Sequence, residues 1–193
     1  NFHLSYLGTG CIFEYENLDD ILNGETDYKL FNEEDRPNFT GSSYSIVKGF
    51  TDELMHLTNT LNIRIRMPIT SKSNQRNFIT KITSYEKICS IPNSMTVLDE
   101  LIPIMMDLVF KKHTGTINMV NPGVISHNEI LEMYKEIVDP EFTWQNFTIE
   151  EQDVILNSKR SNNHLETKKL QELYPTVKNI RESVRECLER FNK

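Results

Sequence analysis

Glycine is scarce in this chain, with seven among 193 residues. They never form the Gly-x-Gly-x-x-Gly turn that cradles a dinucleotide's pyrophosphate. No apolar run approaches the roughly 20 residues of a membrane-spanning helix. Basic clusters are also missing, and a net charge of −7 opposes polyanions, so neither nucleic acid nor membrane is an expected partner. Cysteine is limited to Cys11, Cys89 and Cys187 at unrelated spacings. That leaves no disulfide framework and points to a reducing, cytoplasmic setting. The five histidines show no metal-ligand spacing, so no metal is expected. There is no initiator methionine, and residues 2–7 already read as a strand. The chain therefore reads as the C-terminal two-thirds of a longer protein.

What remains is an ordinary globular composition, 38% hydrophobic and 25% charged, carrying one informative pattern. Thr9-Gly10-Cys11 precedes Tyr44-Ser45-Ile46-Val47-Lys48 by some thirty residues. A tyrosine and a lysine four apart on a helix share one face, where the ammonium makes the phenol a usable proton donor or acceptor. A second match, Tyr174 to Lys178, contains Pro175, which keeps Tyr174 out of the α region. The first has a helical setting, because Gly41-Ser42-Ser43 is a start signal and Tyr44, Val47, Phe50, Leu54 and Leu57 recur with helical rhythm. Cys11, two residues past the Thr9 hydroxyl, suggests a second chemistry in the same pocket.

Along the chain a strand near residues 2–7 is followed by a long polar connection over 10–43 and a helix from Tyr44 to about Leu61. Ile63–Met67 alternates as a strand and stops at Pro68. A short helix is expected over 77–85, a small strand over 87–91 and an apolar helix over 97–110. Met105 and Met106 read as core filler in that helix, and Cys89 and Cys187 as packing residues. A strand over 116–120 and then helices starting at Ser126, Thr148 and Ile180 complete the pattern, with Thr148-Ile149-Glu150-Glu151 forming a capping box. Strand–helix–strand–helix–strand is the unit of a parallel sheet. The expected fold is α/β, the C-terminal part of a Rossmann-like doubly wound sheet with an interleaved, mostly helical substrate lobe. Residues 1–68 would complete the dinucleotide-binding domain and 69–193 form the substrate lobe, with 97–120 returning to the sheet.

With these pieces placed, the chain resembles the extended short-chain dehydrogenase/reductases that act on nucleotide sugars. Among them it is most similar to the UDP-4-keto-6-deoxyglucose 3,5-epimerase/4-reductases. The resemblance rests on six stretches in order: residues 9–15, 38–42, 77–82, 91–101, 121–123 with 126–134, and Arg160-Ser161-Asn162-Asn163. The family's glycine-rich N-terminal segment is the part not found.

That resemblance implies Thr9, Tyr44, Lys48, Cys11 and Lys81 as catalytic residues. Tyr44 would protonate a 4-keto oxygen, Lys48 would bind the nicotinamide ribose and tune Tyr44, and Thr9 would hold the oxygen. Cys11 and Lys81 would form the pair that moves protons at carbons 3 and 5 from opposite faces. Tyr44, Lys48, Met67 and Pro68 are implied on the cofactor side, and Asn77, Phe78 and Arg160 on the substrate side. Asn77 has an alternative reading as a helix start. The implied cofactor is NADPH or NADH, the partner a UDP-sugar, with a homodimer as the candidate assembly. A plain 4-reductase needs no base at Cys11, and a non-catalytic relative of the fold is a third reading.

Overall fold

The computed structural model of the chain describes residues 2–156 and 158–191. Its first half holds β1 (Ser5–Thr9), α1 (Leu18–Leu22), α2 (Ser43–His56), β2 (Leu61–Ile65), β3 (Pro68–Ile69), α3 (Phe78–Ile82), β4 (Lys87–Ile88) and β5 (Thr96–Val97). There follow α4 (Leu98–Phe110), β6 (Gly115–Asn118), α5 (His127–Ile137), β7 (Gln145–Asn146), α6 (Ile149–Ile155), α7 (Lys168–Leu173) and α8 (Ile180–Glu189). β1, β2 and β6 form a parallel sheet in the order β1-β2-β6, with Leu7 beside Ile63 and Ile63 beside Ile117. Parallel neighbours need crossover connections, and α2 and α4 supply them.

The period-two alternation of β2 decides what lies on each face. Leu61 and Ile63 enter an apolar cluster with Leu101, Met105 and Leu108 of α4, Ile117 of β6 and Leu170 of α7. Asn62 and Arg64 point the other way, toward α2, where Asp52 receives them. Both faces are covered, as a doubly wound sheet requires. This is the sheet the sequence implies.

The buried side of α2 differs from the one its apolar rhythm suggests. Ser45, Gly49 and Asp52 are its buried residues, while Val47 is 64% and Phe50 70% exposed. The reason is that α2 seats on the sheet through charge. Asp52 Oδ1 accepts from Asn62 Nδ2 at 2.7 Å and from Arg64 Nε at 2.9 Å, while Oδ2 accepts from Arg64 Nη2 at 2.6 Å. Close approach on that side also needs a small residue, since a Cβ on Gly49 would stand 3.1 Å from Pro37. The helix ends at His56, some five residues early, because Leu61 already begins β2.

A second apolar core joins Ile69, Ile79, Ile82, Met95, Val97, Ile130, Leu131, Val184 and Leu188, and it lies among α3, α5 and α8. Cys187 packs in it and Cys89 in a smaller cluster with Tyr15, Ile21 and Ile91. Burial pushes both thiols up, Cys187 to about 12. Met105 is buried but Met106 is 45% exposed, so only one of the pair fills core. The Thr148 capping box is present, and Ser126 forms another with Glu129. Tyr174 is the C-cap of α7, so no helix carries the Tyr174–Lys178 pair.

Candidate active site

Ligands of open parallel sheets gather beyond the carboxyl ends of the strands. A cavity of about 940 Å³ opens there, and Cys11, Tyr44, Met67, Pro68, Phe78, Lys81 and Arg160 all contribute to its wall. Cys11 follows β1, Tyr44 lies in the first turn of α2, Met67 and Pro68 follow β2, and Lys81 comes from α3. Thr9, Lys48 and Asn77, also expected at the site, are not among the residues of that wall.

Ser42 fixes the start of α2 by accepting the Ser45 N–H, which sets Tyr44 at the mouth of the cavity with its ring half exposed. One turn on, Lys48 Nζ donates to Tyr6 Oη at 2.8 Å and lies 4.9 Å from the centre of the Tyr6 ring. The Tyr6 hydrogen bond, with a smaller contribution from Tyr44, holds the ammonium above the usual lysine range. Lys48 is therefore a cation fixed on Tyr6, one helical turn along from Tyr44. Sequence reasoning passed over Tyr6, although its register partner is Asn62, which puts it on the α2 face of the sheet.

Thr9 is the last residue of β1 and is buried. Its Oγ1 accepts the Cys11 N–H at 3.1 Å, which leaves the Thr9 O–H as a donor. Cys11 is half-buried, and Arg66 Nη1 donates toward its Sγ at 3.7 Å. Glycine suits the turn between them, because a Cβ on Gly10 would sit 2.6 Å from Leu165 Cδ1 and that buried side chain would have to shift. The Gly10 carbonyl accepts from both Arg66 Nη1 and Asn163 Nδ2.

The Arg160–Asn163 stretch divides its labour. Arg160 reaches the cavity wall. Ser161 donates to the Phe13 carbonyl at 2.6 Å, and Asn163 Nδ2 donates to the same oxygen at 2.8 Å. These two residues staple the Cys11 turn to the C-terminal third of the chain. Met67, on the wall just before Pro68, has φ 41°, a left-handed conformation that a side-chain-bearing residue adopts only under constraint.

Asn77 belongs to the helix start, against the expectation that it lines the cleft. Its Oδ1 accepts the Ile79 N–H and its Nδ2 donates to the Thr70 and Lys72 carbonyls, so the amide is consumed at 2% exposure. Its neighbour Phe78 does reach the wall, edge-on to His127 with ring centres 5.2 Å apart. His127, also on the wall, is held neutral, since burial and then Arg66 bring it down to about 4. Neither His127 nor Arg66 was singled out in the sequence. A histidine after a helix-capping serine and an arginine on an alternating strand carry no spacing signal of their own.

The chain matches no protein-family model. It is 56% identical over 193 residues to the L780 protein of Acanthamoeba polyphaga mimivirus, covering 99% of this chain and 65% of that one. The crystal structure of that protein, the L780 UDP-rhamnose synthase, superposes with a TM-score of 0.92. A bifunctional dTDP-4-dehydrorhamnose 3,5-epimerase/dTDP-4-dehydrorhamnose reductase of Arabidopsis thaliana is 51% identical over 178 residues, 91% of this chain and 58% of that protein. The dTDP-4-dehydrorhamnose reductase of Bacillus anthracis, solved in complex with NADP, is 17% identical with a TM-score of 0.72 and covers 98% of this chain and 64% of that one; it shares the fold. The chain thus spans less than two thirds of the length of these relatives.

Proposed function

Because the chain belongs to the family of rhamnose synthases and dTDP-4-dehydrorhamnose reductases, we propose that it holds the reaction centre of a nucleotide-sugar 3,5-epimerase/4-reductase. The substrate would be UDP-4-keto-6-deoxyglucose and the product UDP-L-rhamnose. Residues 1–68 with 97–120 would serve the cofactor side, and the remainder the sugar. The observation that supports this reading best is that Cys11, Tyr44 and Lys81 all contribute to the wall of one cavity, with Thr9 bonded to the Cys11 N–H and Lys48 one turn along α2 from Tyr44.

The chemistry follows from those side chains. A C–H bond beside a 4-keto group is acidic when the enolate oxygen finds preorganised donors, and the hydroxyls of Thr9 and Tyr44 are that pair. The Cys11 thiolate takes the proton from carbon, and the C–H electron pair moves onto the keto oxygen. The Lys81 ammonium returns a proton to carbon from the opposite face, which inverts the centre. The two groups act in turn at carbons 5 and 3. For reduction Tyr44 gives its phenolic proton to the 4-oxygen, with the Lys48 cation stabilising the phenolate left behind.

NADPH or NADH supplies the hydride when bound. The residues present fit its nicotinamide end. Lys48 uses one N–H on Tyr6 and keeps others for ribose hydroxyls, while Met67 and Pro68 offer an apolar rim.

The test is the full-length protein with UDP-4-keto-6-deoxyglucose and NADPH in heavy water. Loss of NADPH absorbance with deuterium at carbons 3 and 5 is the expected result; a folded protein giving neither overturns the reading. Cys11→Ser is expected to stop deuterium entry while still reducing a pre-epimerised ketose. Exchange that survives this substitution would mean that Cys11 is not the base, whereas reduction by the wild type without deuterium entry would leave the plain 4-reductase.

A further inference from the structure

Two arginines on the same face of the β2 segment are fully buried, and they are treated differently. Arg64 faces the carboxylate of Asp52. Arg66 has no such partner among the described residues. It donates to the Gly10 carbonyl, the Ser161 carbonyl and hydroxyl, the Asn93 side-chain oxygen and the Cys11 sulfur, and its Nε has no acceptor. Every oxygen in that set is uncharged. A guanidinium removed from water without an anion is costly, and a fold tolerates it where an anion forms nearby.

The ionisable groups around Arg66 leave one candidate for that anion. Tyr15 is kept a neutral phenol by burial and donates to the Pro92 carbonyl at 2.9 Å. His127 is neutral and would in any case be a cation. The remaining group is Cys11: of the Arg66 acceptors, Cys11 and Ser161 reach the cavity, and of those two only the thiol is an ionisable group. The cavity wall also carries the acid Glu86, which is not among the groups that Arg66 contacts.

We propose that Arg66 is a positioning residue that stabilises Cys11 as a thiolate and aims it into the cavity. Resting on the epimerase reading above, this makes Arg66, and not Lys81, the counter-charge of the base. Lys81 is then free to act as the acid from across the cavity. The same guanidinium grips Gly10 and Ser161, so the charge and the geometry of the Cys11 turn come from one side chain.

The test is the pH profile of iodoacetamide alkylation, read at Cys11 by mass spectrometry in the wild type and in Arg66→Gln and Arg66→Lys. Cys89 and Cys187 are buried with raised pKa values and contribute little. Arg66→Gln is expected to move the half-maximal rate upward by about one pH unit, a tenfold loss of reactivity on the acid side. Arg66→Lys, which keeps the charge, is expected to recover most of that shift. A purely structural role would change yield or melting temperature but leave the profile in place, and an unchanged profile overturns the proposal.

Should the Arg66 variants fail to fold, Cys11→Asp and Cys11→Asn in the native background decide. Asp supplies a permanent anion and is expected to melt a few degrees above Asn, whereas equal melting overturns the proposal. None of these readouts needs turnover. A shifted profile with no deuterium exchange would therefore sink the substrate reading and leave the Arg66–Cys11 pair standing.

Discussion

Asp52→Ala is expected to remove about 3–5 kcal/mol of folding stability, much of the roughly 5–15 kcal/mol that holds a typical domain together. The substitution leaves the Arg64 guanidinium, whose side chain is 0% exposed, without its bidentate carboxylate. Water cannot reach it to compensate. Asn62 loses an acceptor in the same stroke. What remains hydrogen-bonded to or stacked on Arg64 is the Asn32 carbonyl, His56 and the Phe13 ring at 5.1 Å, with the buried Glu33 carboxyl, its pKa raised by burial, the one acid still near enough to interact. Urea unfolding followed by circular dichroism measures the effect. The double variant Asp52→Leu/Arg64→Met, which removes both charges and keeps the volume, is expected to recover a large part of the loss. A single-variant loss under about 1 kcal/mol would mean that α2 is seated by something other than this pair.

Tyr44→Phe is expected to lower the reduction rate by about 10²–10⁴-fold, the usual worth of a positioned proton donor. Stability should hardly change, because the ring is half exposed on the cavity wall. Deuterium entry at carbons 3 and 5 should fall as well, since the same hydroxyl is one of two donors to the enolate oxygen in the proposed mechanism. The measurement is NADPH consumption together with sugar NMR for the full-length variant. If reduction stays within a few-fold of wild type, Tyr44 is not the acid.

The sheet and its two crossover helices were legible in the sequence because β2 alternates, α4 has an apolar stripe, and Pro68, Pro92 and Pro122 punctuate the chain at the right places. The inward face of α2 was not legible. An apolar rhythm signals a helix, but it cannot say whether that rhythm or an acid such as Asp52 meets the sheet, since this depends on Arg64 twelve residues away. Of the candidate site, the sequence pointed to groups that cluster within one turn, Thr9-Gly10-Cys11 and Tyr44–Lys48, of which Cys11 and Tyr44 reach the cavity wall. The site was not legible where the groups are joined only in space. Tyr6 meets Lys48 across 42 residues and Arg66 meets Ser161 across 95. Asn77 shows the opposite failure, a polar residue in a suggestive stretch whose amide is wholly spent on capping a short helix.

The Ser161–Asn163 staple bears on the order in which the chain acquires its structure. Asn163 reaches back 153 residues to the Gly10 carbonyl, and the Tyr15 N–H bonds to the Asn162 carbonyl at 2.8 Å. Such a closure costs entropy that local contacts do not recover, so it forms late. On the ribosome β1 can pair once β2 has emerged, but the turn after β1 lacks its Ser161 and Asn163 partners until about a hundred residues more have been synthesised. The sheet can form from the segment ending at β6 while the turn bearing Cys11 is still unfixed. In pulse-labelled amide exchange during refolding, the Tyr15 N–H is expected to gain protection after the amides of β2. Tyr15 protected together with the sheet would mean that the turn forms without its C-terminal staple.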